Sequence, residues 1–246
     1  MTIALAERTR RDPLEARVDG LDWAVIAKDL DREGWAVLPG LLAAEECASL
    51  ASLYAGEAGF RSRIVMARHG FGQGEYKYFT YPLPPLVGLL REALYPKLAA
   101  IANLWSNYLS DSYDYPDTLT DFLTLCHEAG QARPTPLLLQ YGAGDYNCLH
   151  QDLHGALFFP LQAAFLLSAP WRDFTGGEFV LVENRPRMQS RARVVPLGQG
   201  DGVVFAVHHR PARGVRGFHR ASMRHGVSPV RTGRRHVLGI IFHDAK

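Results

Sequence analysis

The chain has 246 residues, of which 47% are hydrophobic and 21% are charged, a composition ordinary for one large globular domain. Its 27 Lys and Arg residues nearly balance 25 Asp and Glu residues, which excludes a highly charged disordered protein and gives no global signature of nucleic-acid binding. The three cysteines have no CxxC spacing, so neither a disulfide framework nor a cysteine-rich zinc module is expected.

Apolar runs and the first residues indicate where the protein resides. The longest apolar stretches, 83–90 and 156–167, are shorter than the ~20 residues that span a bilayer. The opening residues also lack the apolar core of a secretory signal. We therefore expect a cytoplasmic protein with no membrane segment, and nothing in the sequence implies an obligate protein partner.

The elements predicted before residue 135 are mainly helical. Residues 1–20 are expected to be a loose N-terminus, and residues 21–134 a helical support. The predicted elements are, in chain order, a helix over Asp22–Arg32 stopped by Gly34, a strand over Trp35–Leu38, and helices over Ala43–Tyr54, Pro85–Leu109 and Leu119–Ala129.

From residue 135 the pattern changes to short β-type runs separated by glycine turns. The predicted strands cover Pro136–Tyr141, Ala156–Ser168, Glu178–Val182, Arg193–Leu197, Gly202–Val207, Ser222–Val227 and Arg235–His243. Helices followed by many strands predict a single α+β domain. Within it, residues 135–246 are expected to form a double-stranded β-helix, or jelly-roll, as the catalytic core, with the N-terminal helices packed on one sheet.

A candidate metal site begins at His150 and Asp152. On an extended backbone, residues two apart point to the same face, so an imidazole and a carboxylate converge there. His225, in a later strand-like run, offers a third ligand. Two histidines and one carboxylate form the facial triad that leaves coordination positions open, which suits non-haem Fe(II) and O2 chemistry.

Arg235 is the candidate co-substrate residue. The segment after His225 reads as a hairpin turned at Thr232 and Gly233, which would return a second strand beside the one that carries His225. A guanidinium in an apolar barrel needs an anion, and its planar fork suits a carboxylate. A dicarboxylate that also chelates iron through a 2-oxo acid group would be 2-oxoglutarate. The alternative is an arginine that caps a hairpin in water.

These four positions resemble the motif of the Fe(II)/2-oxoglutarate-dependent dioxygenases, which is His-x-Asp, a distal His and a later basic residue. The resemblance covers about residues 135 to 246. Residues 140–144 and 149–152 are further similar to the approach to the metal site in AlkB-type nucleic-acid demethylases, which implies that Tyr141 contacts 2-oxoglutarate. The block from His150 through 185–190 to 239–244 resembles a bacterial oxygenase family predicted to demethylate damaged nucleic-acid bases.

Two departures from the AlkB type leave the substrate open. Arg235 follows His225 by ten residues, as in prolyl-hydroxylase-like members, and the paired-arginine ending of the AlkB type is absent. The resemblance implies that Fe(II), 2-oxoglutarate and O2 oxidise a substrate C–H bond, and that oxidation of an N-methyl group releases formaldehyde. The alternatives are a prolyl, peptidyl or small-molecule hydroxylase of the same superfamily and, from another class, a non-catalytic jelly-roll that binds a metal or a small acid.

An arginine-rich stretch over residues 185–235 is the clue to a nucleic-acid partner. It contains twelve arginines and one acidic residue, Asp201, and its loops are predicted to line the mouth of the active site and to hold phosphates of single-stranded or damaged nucleic acid. The interleaved rings of Phe218, His208 and His209 are candidates for stacking on bases. The alternative is that these arginines lie in solvated loops and bind no ligand, which would give the same number of arginines.

Overall fold

The computed structural model describes residues 13–152, 155–185, 188–215 and 217–246. Its first element, helix α1 (Pro13–Asp19), corrects the prediction of a loose segment over residues 1–20. Leu14 and Val18 are buried because residues four apart share one face of a helix, and that face packs into the core. Residues 1–12 lie outside the described part of the chain.

Four further helices confirm the sequence prediction closely. They are α2 (Trp23–Glu33), α3 (Ala44–Ser52), α4 (Pro85–Leu109) and α5 (Leu119–Glu128). At the start of α2, the Asp22 side chain accepts a hydrogen bond from the Val25 backbone N–H, and at its end Gly34 takes the left-handed conformation that few other residues adopt. None of the described helices is long and apolar enough to cross a bilayer.

Fifteen strands are described, and the larger sheet contains seven of them. Its strands are β1 (Trp35–Leu38), β2 (Phe60–Val65), β4 (Glu75–Phe79), β5 (Leu137–Tyr141), β7 (Leu161–Leu166), β11 (Gly202–Ala206) and β15 (Arg235–Ile240), in the spatial order β1-β11-β7-β15-β5-β4-β2. Helices α2, α3 and α4 contact strands of this sheet. The structure is therefore a mixture of helices and antiparallel sheets, as the sequence predicts.

The smaller sheet has six antiparallel strands, five of which come from the second half of the chain. Its strands are β3 (Gly72–Gln73), β6 (Tyr146–His150), β9 (Phe179–Asn184), β10 (Arg191–Val195), β12 (His209–Gly214) and β13 (Gly217–Val227), in the order β10-β9-β13-β6-β3 with β12 also paired to β13. A short ribbon pairs β8 (Phe174–Gly176) with β14 (Val230–Gly233).

The structure corrects two predictions of strand placement. The mainly helical segment over residues 21–134 contains three strands that were not predicted, because β2 and β4 extend the larger sheet and β3 joins the smaller one. Arg235 does not return on a strand beside His225. Strand β14 turns away to pair with β8, and β15 then pairs with β5 and β7 in the other sheet.

A buried ion pair fastens α4 to the residues that follow β15. The guanidinium of Arg91 donates to Asp244 Oδ1 at 2.8 Å and to the carbonyls of Ile241 and Phe242 at 3.0 Å each. Tyr81 donates to the second Asp244 oxygen at 2.9 Å. Arg91 and Asp244 are almost completely buried, so each charge depends on its partner.

We expect Asp244→Ala to lower the free energy of unfolding by about 3–5 kcal/mol, because it leaves the Arg91 charge buried without an anion. Lys97→Ala is the matched control, since it removes an ion pair with Asp19 whose side chains are about 40% exposed, and it should cost at most about 1 kcal/mol. Urea denaturation of both variants checks this. Equal losses would show that the buried pair contributes nothing beyond an exposed one.

Candidate metal centre and adjoining pocket

Strand pairing brings the three predicted metal ligands together. His150 ends β6, and in the antiparallel ladder it lies directly opposite His225 of β13. Asp152 follows two residues after His150 and places Oδ1 3.5 Å from His150 Nε2 and Oδ2 3.3 Å from His225 Nε2. One ligand atom from each residue lies within 4.8 Å of the other two. This spacing fits three ligands around one divalent ion.

The surroundings of both imidazoles orient them toward Asp152. His150 Nδ1 lies 2.8 Å from the carbonyl oxygen of Cys148. Because a carbonyl can only accept, the proton is on Nδ1 and the lone pair of Nε2 faces the cluster. His225 is buried, and its ring packs against Phe205 with centroids 4.7 Å apart. The ring is therefore held by packing as well as by the strand.

Gln151, which sequence reasoning did not single out, holds in place the segment between the two predicted ligands His150 and Asp152. Its amide nitrogen donates to the carbonyls of Met223 at 2.8 Å and His208 at 3.2 Å, and to Ser222 Oγ at 3.2 Å. These contacts attach the chain after β6 to the strand that carries His225. The contacts of Gln151 could not be predicted from the sequence, because nothing in the sequence shows which residues a polar side chain at this position reaches.

The other two predicted site residues, Arg235 and Tyr141, lie on the opposite sheet. They face each other across the β15–β5 ladder, with the guanidinium 5.5 Å from the Tyr141 ring centre. Arg235 is 2% exposed, and its Nε and Nη1 have no hydrogen-bond partner in the described part of the chain. Burial lowers the pKa of Arg235 to about 10, so the residue remains charged at neutral pH.

Burial also shifts the pKa of Tyr141. It raises the pKa of the phenol to about 12, while the nearby charge of Arg235 lowers it. The hydroxyl is therefore protonated at neutral pH and is able to donate a hydrogen bond.

One cavity of about 300 Å³ joins the triad to Arg235 and Tyr141. Its walls are largely apolar: Phe179 comes from β9 of the smaller sheet, whereas Phe205 and Val237 come from β11 and β15 of the larger sheet. Ile241, which follows β15, also lines the cavity. Volume and lining are those of a small-molecule site with a few convergent polar groups. All five residues predicted for the site line this cavity, although they come from two different sheets.

The structure shows which residues the arginines of the arginine-rich stretch contact. Of its described arginines, Arg235 alone lines the cavity. Arg185 and the buried Arg210 bind Glu183, Arg191 and Arg193 bind Glu33, and Arg220 binds Asp111. Acids outside the stretch therefore pair with these five arginines, and nucleic-acid binding by the stretch at the mouth of the site stays a prediction.

The remaining arginines of the stretch are either exposed or outside the described residues. Arg213, Arg224, Arg231 and Arg234 are exposed, and nucleic-acid binding by them stays a prediction. Arg187 and Arg216 lie outside the described residues. The rings of Phe218, His208 and His209 do not line the cavity that holds the triad. Phe218 instead stacks on Tyr108 with centroids 4.1 Å apart, and the two histidines line a separate cavity.

A family model covers residues 74–245, a span that includes the triad, Tyr141 and Arg235. The family is Oxygenase-NA, described as "Oxygenase, catalysing oxidative methylation of damaged DNA". The chain belongs to this oxygenase family. Membership confirms the predicted resemblance and the predicted oxygenase class.

Relatives and solved structures agree with this assignment. Two uncharacterized proteins of Mycobacterium tuberculosis, MT2286 and Rv2227, are each 51% identical over 167 residues, which cover 68% of this chain and 72% of theirs. Among solved structures, a Trichoplax adhaerens prolyl hydroxylase in complex with a hypoxia inducible factor peptide has a TM-score of 0.54 at 13% identity, covering 95% of this chain and 93% of its own. A 2OG-Fe(II) oxygenase family oxidoreductase from Burkholderia pseudomallei has a TM-score of 0.51 at 18% identity, with coverages of 92% and 94%.

These structural matches show that the fold is shared with 2-oxoglutarate/Fe(II) oxygenases. The triad supplies the donor set that such chemistry needs. Family, fold and triad together support Fe(II) as the cofactor, and 2-oxoglutarate and O2 as co-substrates.

Gly226 tests how closely the triad depends on the contact between β6 and β13. A Cβ at this position would lie 2.7 Å from the Asn147 carbonyl oxygen and 3.2 Å from the Cys148 carbonyl group. We expect Gly226→Ala to separate the strands, to lower the free energy of unfolding by about 1–3 kcal/mol, and to weaken Co(II) binding about tenfold. Metal titration and urea denaturation measure both effects.

Gly88→Ala is the matched control for this substitution. Gly88 lies inside α4, and a Cβ there would have no atom within 4 Å, so alanine should stabilise the helix and leave metal binding unchanged. Unaltered metal affinity in Gly226→Ala would show that the close approach of the strands does not position the ligands.

Proposed function

We propose that this protein is an Fe(II)- and 2-oxoglutarate-dependent dioxygenase that oxidatively demethylates alkylated nucleic-acid bases. The observation that carries the proposal is one cavity with a His-Asp-His cluster at one side and a buried, incompletely paired arginine at the other. When bound together, Fe(II), 2-oxoglutarate and O2 supply the oxidation of an otherwise inert C–H bond.

The donor atoms present fit the metal and the dicarboxylate. His150, Asp152 and His225 would hold the metal through two imidazole nitrogens and one carboxylate, a set that leaves coordination positions open. Arg235 would bind the distal carboxylate of 2-oxoglutarate, because its Nε and Nη1 are buried without hydrogen-bond partners and a guanidinium fork matches a carboxylate. Tyr141 would donate its hydroxyl proton to the same ligand. The Glu178 carboxylate accepts a hydrogen bond from the Ser228 hydroxyl, and its negative charge raises the pKa of Arg235, against the larger effect of burial.

The apolar walls have their own role in this proposal. Phe179, Phe205 and Val237 give the cavity an apolar lining, and an apolar lining limits side reactions of a reactive site with water. No general base is needed for the release of a hydroxylated N-methyl group, because it dissociates to formaldehyde and the unmethylated base. This agrees with a cavity in which the two charged side chains, Asp152 and Arg235, are assigned by the proposal to the metal and to the co-substrate.

The nucleic-acid substrate rests on the family description, which concerns damaged DNA. The alternative is hydroxylation of a prolyl residue, another peptide residue or a small molecule. Two observations favour that alternative: the spacing of ten residues between His225 and Arg235, and the prolyl hydroxylase that shares the fold. A protein that binds a metal or small acid without turnover is the remaining candidate.

We also propose that the two facing sheets form a double-stranded β-helix in one domain. In support, the strands that carry His150 and His225 belong to the smaller sheet and those that carry Arg235 and Tyr141 belong to the larger one, with the cavity between them. Residues 135–246 would be the catalytic core. Residues 21–134 would support it, and β2 and β4 would widen the larger sheet.

Turnover assays test the activity. We expect the Fe(II)-loaded protein to form succinate from 2-oxoglutarate under air, and to release formaldehyde when an N-methylated single-stranded oligonucleotide is added. Asp152→Ala should lower both rates by at least about 100-fold, because it removes a metal ligand. Succinate formation that ignores the oligonucleotide would move the substrate to a peptide or a metabolite. Equal rates in the variant would contradict the metal site.

The role of Arg235 is tested by the KM for 2-oxoglutarate in succinate formation. We expect Arg235→Met to raise this KM roughly 100-fold, because the carboxylate would lose a buried charged partner. Arg235→Lys should give an intermediate KM, since an ammonium group keeps the charge and loses the planar fork. If Arg235→Met had the KM of the unaltered protein, 2-oxoglutarate would bind elsewhere.

A further inference from the structure

The exposed part of the cavity lining identifies its mouth. Among the described residues that line the cavity, only Gly70, Phe71, Cys148 and Leu149 are exposed, and the others are buried or half-buried. Phe71 is 47% exposed and Leu149 is 45% exposed. Because His150 follows directly after Leu149, a substrate that approaches the triad from solvent passes these side chains.

The Phe71 ring is held in place rather than loosely exposed. The Phe71 backbone N–H donates to the Met66 carbonyl at 3.1 Å, and the Phe71 carbonyl accepts from the Cys148 N–H at 2.9 Å. The His69 ring stacks on it, with centroids 5.3 Å apart and planes 23° apart. Because of these contacts, the ring presents a fixed, flat, apolar surface at the opening of the site. An exposed phenylalanine ring lacks the stabilisation that burial would give, so its position in water calls for another explanation.

We propose that Phe71 is the surface on which the target base of the nucleic acid stacks, and that it contributes to substrate specificity. This inference rests on the proposed function. Aromatic side chains bind bases through their flat faces with little dependence on sequence. Arg68, in the same turn as His69, is exposed and forms no ion pair within the described ranges, so its charge is available for an adjacent phosphate.

The mouth fits a base better than it fits an extended peptide. Peptides commonly bind by adding a strand to the edge of a sheet. The edge strand at this mouth, β3, consists of Gly72 and Gln73 alone, which is too short for a ladder of backbone hydrogen bonds. A stacked pair of rings beside a free cation offers, in contrast, one contact for a base and one for its phosphate.

Binding without turnover tests the proposal. A fluorescently labelled N-methylated single-stranded oligonucleotide is titrated under nitrogen with the full chain loaded with Fe(II) and 2-oxoglutarate, and anisotropy gives the Kd. We expect Phe71→Ala to raise the Kd about tenfold, through loss of the stacking contact with one base. Phe71→Trp should retain the affinity, because it keeps a flat aromatic face and also guards against an effect of misfolding.

Phe218→Ala is the matched control. Phe218 is 41% exposed and, like Phe71, stacks on a second ring, but it lies outside the lining of this cavity. Its replacement should leave the Kd and the succinate formation unchanged. Equal losses in Phe71→Ala and Phe218→Ala would overturn the proposal, because the loss would not depend on the mouth.

The remaining outcomes separate this inference from the proposed function. If the unaltered protein releases formaldehyde from the oligonucleotide and Phe71→Ala binds it with the same Kd, the stacking role is wrong and the demethylase function stands. If the unaltered protein neither binds nor demethylates the oligonucleotide, while a proline-containing peptide stimulates its succinate formation, both proposals are wrong.

Discussion

The antiparallel pairing of β6 with β13 is the constraint on which the site depends. It sets His150 opposite His225, although the two residues are far apart in the chain. The register shifts between His225 and Val227, and the absence of a side chain at Gly226 allows the two backbones to approach closely there. Asp152 lies just past the end of β6, where the chain is no longer bound to the ladder. Its carboxylate can therefore turn toward both imidazoles, and Gln151 holds that short segment against β13.

The division of the site between two sheets has a physical consequence. The smaller sheet carries His150 and His225 of the predicted metal site, and the larger sheet carries Arg235 and Tyr141, so the cavity between them has polar groups on each side and largely apolar walls elsewhere. A buried guanidinium with unpaired N–H groups is costly. A bound carboxylate would offset this cost, which is the role proposed for 2-oxoglutarate at Arg235. Helices on the larger sheet and the Arg91–Asp244 pair fix the strands on which that geometry depends.

Much of this arrangement could be predicted from the sequence, for identifiable reasons. The helix limits followed from capping residues such as Asp22 and Gly34, which act locally. The grouping of His150, Asp152 and His225 was predicted because residues two apart in a strand point to the same face, and because iron prefers histidine and carboxylate ligands. The placement of β15 could not be predicted, because whether a strand stays beside its predecessor or crosses to another sheet depends on contacts between distant residues. Strands β2–β4 were missed because their segment is rich in arginine and glycine and shows no clear alternation of polar and apolar residues. Lys77 of β4 is also buried, although a lysine normally indicates a solvent-exposed position.

The arginines over residues 185–235 illustrate the same limit. Their density is a property of the sequence, but their partners Glu33 and Asp111 lie elsewhere in the chain and meet them only in the folded protein. The count therefore overstated the free positive charge. The exposed ring of Phe71 was missed for the opposite reason, because a single phenylalanine in a glycine-rich segment has no pattern that distinguishes a mouth from a core.

The most direct test of the central claim is a crystal structure of the protein loaded with Fe(II) and 2-oxoglutarate under nitrogen, with anomalous data collected at the iron edge. The account predicts one iron peak within bonding distance of His150, Asp152 and His225, and density for a dicarboxylate whose far end contacts Arg235. An iron peak at another set of side chains, or a dicarboxylate that leaves Arg235 without a partner, would contradict it.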